Sequence, residues 1–411
     1  MSYIPRPAVR RSDYFLISLI LFLTCTSSVF ADAPLIRNTN AKLPPRTIEL
    51  EEMWRVGGED SDFVFGMIID SLADDESNVY LLDSQLCHVE VFDPNGEHLR
   101  TISGEGEGPG EIRGPIAMEW MEDGALALME IFPSKLVQVD KDGTPRHNLI
   151  LTMGGDTQTG FISGTSVSCR SGVLLSAGQR GVPSDEGLDR TQFLSSFDSE
   201  GHQITRYCEN TLVLSFSNLV FDEAKILPPF FFANTVGPDG RVYAATDREK
   251  YRIEVFHADG TPDRIIERDV KNWARNDRDR SRMNALIDIW TQGAPGNGER
   301  ILTDHEPAIS EIFVDSEGIL WVQHSRSGRE QPAGILYSYD TFDAEGNYLQ
   351  EVLVASEGDS RYDGLKFLGD GRILLIKGYV LARWASVGAP NVDFGEEEND
   401  EPMEIIFCRA W

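Results

Sequence analysis

The chain has 411 residues, 67 of them acidic and 37 basic, for a formal net charge of −30 at pH 7. Such a field repels nucleic acid, whose binding needs basic surface, and disfavours an anionic membrane surface. The acidity reads as solubility rather than as an acidic function.

The N-terminus has the layout of an export signal. Arg6, Arg10 and Arg11 precede an apolar run from Phe15 to Leu23, and Val29-Phe30-Ala31 supplies a cleavage site before Asp32. The run is shorter than the roughly 20 residues of a membrane span. Phe22-Leu23-Thr24 is a poor lipoprotein box, which argues against lipidation at Cys25. The expected organisation is a signal peptide over 1–31, a linker over 32–46 and one domain over 47–411. Losing three arginines and one aspartate takes the mature charge from −30 to −32. The expected location is periplasmic or extracellular.

From residue 47 onward one unit recurs: strand, Asp/Gly turn, strand, loop, strand, Asp/Gly turn, strand. Turns of one set are Asp93-Pro94-Asn95-Gly96, Asp140 to Gly143, Asp198 to Gly201, His257 to Gly260 and Asp343 to Gly346. An alternating strand precedes each, as in Val89-Glu90-Val91-Phe92, and alternation marks a strand with two unlike faces. Glycine supplies the positive φ of a tight hairpin, and aspartate bonds the turn backbone. The other set precedes apolar strands that begin near residues 79, 125, 173, 242, 319 and 373. Their base spacing of about 47 suits four-stranded propeller blades. Two wider gaps hold insertions, and one of them, over about 271–305, contains a helix with Met283, Leu286, Ile287 and Trp290 in one stripe.

The sixth unit is one strand short, and an unmatched strand stands at the other end, Thr47 to Arg55. Pairing the two would close a ring and remove an exposed edge. Within the first unit, Asp83 to Gly114 reads DSQLCHVEVFDPNGEHLRTISGEGEGPGEIRG. The Gly104-x-Gly106-x-Gly108-Pro109-Gly110-Glu111 element after Thr101-Ile102 resembles exported bacterial propellers of the NHL-repeat type. That resemblance covers about residues 46–411. It implies an all-β, six-bladed β-propeller, with the N-terminal strand closing the last blade and the helix inserted between blades four and five. It also implies a binding scaffold. Some propellers of similar architecture are metal-dependent lactonases, which use carboxylate and Asn ligands, and some are zinc-dependent amidating lyases, which use several histidines. Neither ligand set is legible here.

Both hairpin sets fall on one face of such a ring. The other, crossing face holds the long loops Ala177–Thr191, Cys208–Pro229, Lys271–Pro307 and Ser325–Gly334. Loops on a rigid scaffold are where function concentrates, so the site is expected there, around the channel mouth. The candidate ligand-binding residues are Arg113, Arg180, Asp247, Arg248, His324, Arg326 and Arg329, because guanidinium groups on an acidic protein suit a carboxylated ligand. The competing reading is ordinary pairing with nearby Asp185, Asp247 or Glu330. Glu105, Glu107 and Pro109 argue against phosphate at the glycine-rich loop; calcium is the cation its carboxylates could take. No catalytic residue and no cofactor is read from the sequence. The expected partner is an extracytoplasmic peptide, glycan or protein, and the alternative is a metal-dependent hydrolase or lyase. Cys87, Cys169, Cys208 and Cys408 are expected to stay unpaired, because the strand register holds them apart.

Overall fold

The computed structural model describes residues 33–410 except 60, 62, 155–159, 216, 291–297 and 387–401. The stretch read as an export signal and Cys25 lie outside the described residues. The remainder is built mainly of small antiparallel sheets. Three have four strands, spanning Ile68–Ile102, Pro115–Ile150 and Phe161–Ser215. A fourth group, Asn234–Arg268, gains a fifth strand, Leu35–Asn38, which pairs in parallel with Ile265–Arg268. Leu35–Asn38 falls within the stretch read as a linker. Asn38 fixes it, accepting from the Tyr348 N–H at 2.8 Å and donating to the Gly346 carbonyl at 3.0 Å.

The last sheet has eight strands because one long strand, Arg46–Gly57, serves two groups. Its first residues pair in parallel with Val352–Ala355, at the outside of Ile309–Ala355. From Leu50 on it pairs antiparallel with Glu404–Ala410, completing the group that begins at Gly364. We call the six four-stranded groups units one to six in chain order.

Both turn sets work as local chemistry dictates. The Asp93 Oδ1 accepts the Asn95 and Glu97 N–H groups, each at 2.8 Å. Asp198, Asp315 and Asp343 repeat the pattern. The glycine closing each of these turns has positive φ, +84° at Gly96 and +88° at Gly346. The second strands Val79–Asp83, Leu126–Glu130 and Val242–Ala245 are buried throughout. Their near-continuous apolar character follows from burial on both faces of each sheet.

Six hydrophobic cores lie between successive units. Tyr80 and Leu82 of unit one meet Leu126 and Leu128 of unit two, and Met129 of unit two meets Phe193 of unit three. Leu175 meets Val242, Ile253 meets Val322, and Tyr339 meets Leu375. The last core returns to the start: Ile405 and Phe407 of unit six pack with Val79 and Phe92 of unit one. Trp54 of the N-terminal strand seals that joint, stacked on Phe407 at 5.1 Å and tilted against Phe92 at 5.9 Å. The first strands of the units also touch in sequence around the centre, with Phe313 against Phe367 at 4.8 Å between units five and six. The arrangement is propeller-like, with the first strands around its centre.

One loop read from the sequence is not a loop, and the start of a second, Cys208–Pro229, is strand. Ala177–Thr191 is a regular hairpin arm, with strands Val173–Ser184 and Gly187–Phe197 running to a turn at Ser184↔Gly187. The strand after it continues to Ser215. Gly178, Gly181, Pro183 and Gly187 hide the strand signal. Pairing with Phe161–Arg170 on one side and Gln203–Ser215 on the other overrides that local preference. The helix Asp277–Trp290 (α2) lies between units four and five. Its Ile287 packs with Phe221 and Ile226 and against Leu212 and Leu214 of this arm. The Trp290 side chain lies outside the described residues.

Candidate functional site

The seven predicted residues do not form one site. Arg113 is paired with Glu107 at 2.5 Å in the glycine-rich loop. Glu111 of that loop accepts the Gly108 N–H at 2.8 Å, so these carboxylates serve their own loop. Arg180 lies on the arm, opposite Thr191. Asp247 shapes its own turn, accepting from the Glu249 and Lys250 N–H groups at 2.9 and 3.0 Å.

Arg248 belongs to a buried ionic cluster. Its guanidinium meets the fully buried Glu223 of the short helix Glu223–Ile226 (α1), and Arg275 grips the same carboxylate at 2.7 and 2.8 Å. Thr303 donates to Glu223 through its N–H at 3.1 Å and its hydroxyl at 3.2 Å. Burial opposes the Glu223 charge, but Arg275 and Arg248 hold its carboxyl below the usual range. A buried charge so fully paired anchors insertions; it does not present a ligand surface. His324 is likewise buried. Its Nδ1 accepts the Arg326 N–H at 3.2 Å, and burial depresses its pKa despite Asp340 at 3.9 Å.

Arg326 and Arg329 do come together, and a residue missed from the sequence unites them. Their guanidinium carbons stand 5.3 and 5.2 Å from the Trp273 ring centroid. The Trp273 indole N–H donates to Asp279 Oδ2 at 3.1 Å, and Arg329 pairs with Asp279 Oδ1 at 3.0 Å. Asp279 is buried near the start of α2; burial opposes its charge, but Arg329, the Asn276 N–H and the Trp273 indole together hold its carboxyl below the usual range. No local motif marks this set. It joins residues 273–282 to the loop after His324 only through tertiary packing.

Connectivity places the Trp273 cluster on the crossing face, and the apolar exposure gathers there too. Val64, Leu86, Ile131, Phe132 and Phe232 are exposed in loops of that face, with Phe132 at 59% and Phe232 at 53%. The other exposed large apolar residues lie on outer strands, in the N-terminal segment or in the 299–301 insertion. Among the described residues, none is on a hairpin tip of the opposite face.

The centre of the ring carries a second set the sequence reading missed. Lys366 Nζ stands 3.6 Å from Asp70 Oδ1, and both side chains remain about one fifth exposed (22% and 20%) at the centre of the ring. Asp70 Oδ2 also accepts the Met118 N–H at 3.0 Å. Burial opposes the Lys366 charge, yet Tyr379, Asp70 and Glu311 raise its pKa. Burial pushes the Glu119 carboxyl up to about 8, with Asp70 adding to the rise and the Trp120 N–H only partly offsetting it. The helix Tyr379–Ser386 (α3) packs against the first strand of unit one, where the Tyr379 hydroxyl donates to the Ile69 carbonyl at 3.2 Å. At the other end Arg170 reaches past unit four to donate to the Val314 carbonyl at 2.7 Å. One signal was legible: a single charge interrupts an apolar inner strand in Ile69-Asp70, Met118-Glu119-Trp120 and Leu365-Lys366-Phe367. Among the described residues, no three His, Cys, Asp or Glu side chains are grouped to hold a metal ion. No helix among them is long and apolar enough to cross a membrane.

No family model matches the chain, and no curated protein matches it. Solved structures do. A member of the DUF4221 family from Bacteroides vulgatus aligns with TM-score 0.47 and 11% identity, over 89% of this chain and 98% of that one. A gluconolactonase from Xanthomonas campestris aligns with TM-score 0.44 and 12% identity, over 84% and 88%. Virginiamycin B lyase from Staphylococcus aureus aligns with TM-score 0.42 and 9% identity, over 88% and 99%. Likenesses this distant carry no argument about activity, and the propeller-like reading rests on the sheet topology and the ring of cores.

Proposed function

We propose that this chain is an exported six-bladed β-propeller of the NHL type, with a signal peptide over 1–31 and the propeller over 47–411. It acts outside the cytoplasm as a binding module, holding a peptide, glycan or protein ligand on its crossing face without transforming it. The carrying observation is the one-sided exposure of Phe132, Phe232, Ile131, Leu86 and Val64. Exposed apolar groups collected on one face of a soluble protein mark an interaction surface. The Trp273, Arg326 and Arg329 cluster supplies polar contacts on the same face.

Screening the mature chain on a peptide display library and a glycan array tests this reading. Hits should be lost in the Phe132→Ser, Phe232→Ser double variant and kept in the hairpin-tip variant Asn95→Ala. The reverse pattern would move the site to the other face.

A second reading, an enzyme of the lactonase or lyase kind, has one observation in its favour. Glu119, with its pKa pushed to about 8, shares the centre of the ring with Asp70 and Lys366, and perturbed groups in a cleft are candidates for acid–base work. Metal analysis of the purified protein separates the two. Stoichiometric calcium or zinc would favour the enzyme.

A further inference from the structure

Arg190 is a half-buried charge to which the protein supplies no opposite charge. It stands on the arm of unit three, in the strand Gly187–Phe197. Its Nη2 donates to the Gln179 side-chain oxygen, and its Nε is buried without a hydrogen-bond partner. Among the described residues no carboxylate pairs with it, and burial alone acts on its pKa, lowering it. Arg268 and Arg275 differ: each holds a buried carboxylate, Asp340 and Glu223 respectively. A guanidinium withdrawn from water is costly unless an acid compensates it. The surface beside Arg190 is aromatic. Arg190 stands opposite Gly181 and Gly181 opposite Phe161, so Arg190 and Phe161 share one face of the sheet. The Phe161 ring lies across Gly181, where an added Cβ would fall 2.5 Å from the ring Cζ. Phe132, 59% exposed, meets Phe161 edge-on at 5.7 Å. One continuous surface therefore runs from the exposed Phe132 through Phe161 to Arg190.

We infer that Arg190, Gln179 and Phe161 form a subsite for a carboxylate joined to an apolar group, as at the C-terminus of a peptide that ends in an apolar residue, or in a free aliphatic acid. The inference rests on the crossing-face binding reading, to which Phe132 belongs, and names the ligand chemistry. Gln179 accepts one N–H of the guanidinium and so fixes its plane, leaving other N–H groups for the incoming carboxylate. The phenyl rings of Phe161 and Phe132 then meet the apolar group. No acid of the arm competes for the guanidinium. Asp189, its neighbour in sequence, lies on the opposite face of the strand, where it accepts from the Ser184 hydroxyl at 3.1 Å. A polyanionic glycan suits the surface less well, because one guanidinium compensates one carboxylate and further charges would meet phenyl rings. The formal charge of −30 also opposes a polyanion more than a single carboxylate.

The test uses the mature chain and two pairs of fluorescent probes, each labelled at the far end: a short peptide ending in phenylalanine, as free acid and as amide, and dodecanoic acid with its amide. A labelled oligogalacturonate stands beside them. In one pair or the other, fluorescence anisotropy should show the acid binding roughly tenfold or more tightly than the amide, the usual scale of one lost charge-assisted contact. Preference in the peptide pair makes the source a peptide C-terminus; preference in the dodecanoyl pair makes it a free aliphatic acid. Arg190→Met should abolish the preference yet melt at or above the parent temperature, because an uncompensated charge gives way to an apolar chain. Misfolding therefore cannot imitate the expected result. Gly181→Ala, which displaces the Phe161 ring and leaves Arg190 in place, should weaken acid and amide alike. Equal binding of acid and amide in both pairs overturns the inference, as does a preference that survives Arg190→Met or binding unchanged by Gly181→Ala. An Arg190→Met protein that melts several degrees lower overturns it too, in favour of a structural anchor for Gln179. Oligogalacturonate binding more tightly than either acid overturns it in favour of a glycan. Equal binding of acid and amide, with display-library hits still lost in the Phe132→Ser, Phe232→Ser variant, would leave the crossing-face reading standing and remove this one alone.

Discussion

Lys366 and Asp70 come from opposite ends of the chain, yet Lys366 Nζ lies 3.6 Å from Asp70 Oδ1 inside the ring. The pair exists only because unit six closes against unit one. Asp70 also accepts the Ser71 N–H and the Met118 N–H, each at 3.0 Å, so it ties the inner strands of units one, two and six together. Asp70→Ala should therefore destabilise the fold by about 2–3 kcal/mol, somewhat under the scale for breaking a fully buried pair because water reaches both groups. Urea unfolding measures it. A variant with an unchanged midpoint would show that the pair contributes nothing to closure.

The N-terminal strand makes a second, stronger prediction about closure. Arg46–Gly57 pairs with units five and six at once, and its Trp54 packs between units six and one. Deleting Thr47–Arg55 removes the outer strand of unit six and the indole from that core. The product should aggregate or be cut rapidly by protease, because a sheet edge and an apolar face are uncovered together. A monomeric truncated protein with the parent melting temperature would refute the closure.

Glu119 gives the protein a titration signature at neutral pH. Its folded pKa is raised from 4.5 to about 8 by burial, with Asp70 adding to it. The folded state then binds a proton more tightly than the unfolded state. The stability linked to this group is fully present below pH 4.5 and is lost as pH rises through about 8. Glu119→Gln should flatten the decline in stability between those two values. Urea midpoints at a series of pH values check it, and an identical slope in the variant would remove Glu119 as the cause.

His324 acts in the opposite direction. Its pKa is depressed by burial, below the ordinary 6.5. Its contribution is present above pH 6.5 and fades as pH falls below it, because the unfolded chain takes the proton first. His324→Gln should reduce the acid sensitivity of the melting temperature just below pH 6.5. A steeper loss in the variant would contradict this.

The thiols report on register. Cys87, Cys169, Cys208 and Cys408 are all unpaired, and all but Cys169 are buried. Burial pushes the Cys169 thiol up to about 11 and the Cys408 thiol up to about 12. In the unfolded, unreduced mature chain, thiol titration should count four. In the native protein, labelling near neutral pH should be slow, because the thiolate is the reactive form. A count near zero after unfolding would mean that two pairs are bridged and that the strand register is wrong.

The repeating strands and turns were legible in the sequence because their causes are local. An aspartate that bonds the backbone two and four residues on, as Asp93 and Asp343 do, leaves the same mark wherever it occurs. Second strands such as Val79–Asp83 and Leu126–Glu130, buried on both faces, are apolar enough to read without a partner. The unmatched strand at Thr47–Arg55 was visible for a related reason: a sheet must complete its edge. What only the tertiary structure decided depends on partners far away in the chain. The arm at Ala177–Thr191 reads as a loop from its glycines and Pro183, and becomes two strands because neighbours supply hydrogen bonds on both sides. Arg248 reads as a surface arginine, and is buried because Glu223, Arg275 and Thr303 arrive from three other segments. Trp273, Asp279, Arg282 and Arg329 share no motif, and neither do Asp70, Glu119 and Lys366. Each set is assembled by folding, where residues distant in sequence meet and the electrostatics of the site arise from that meeting.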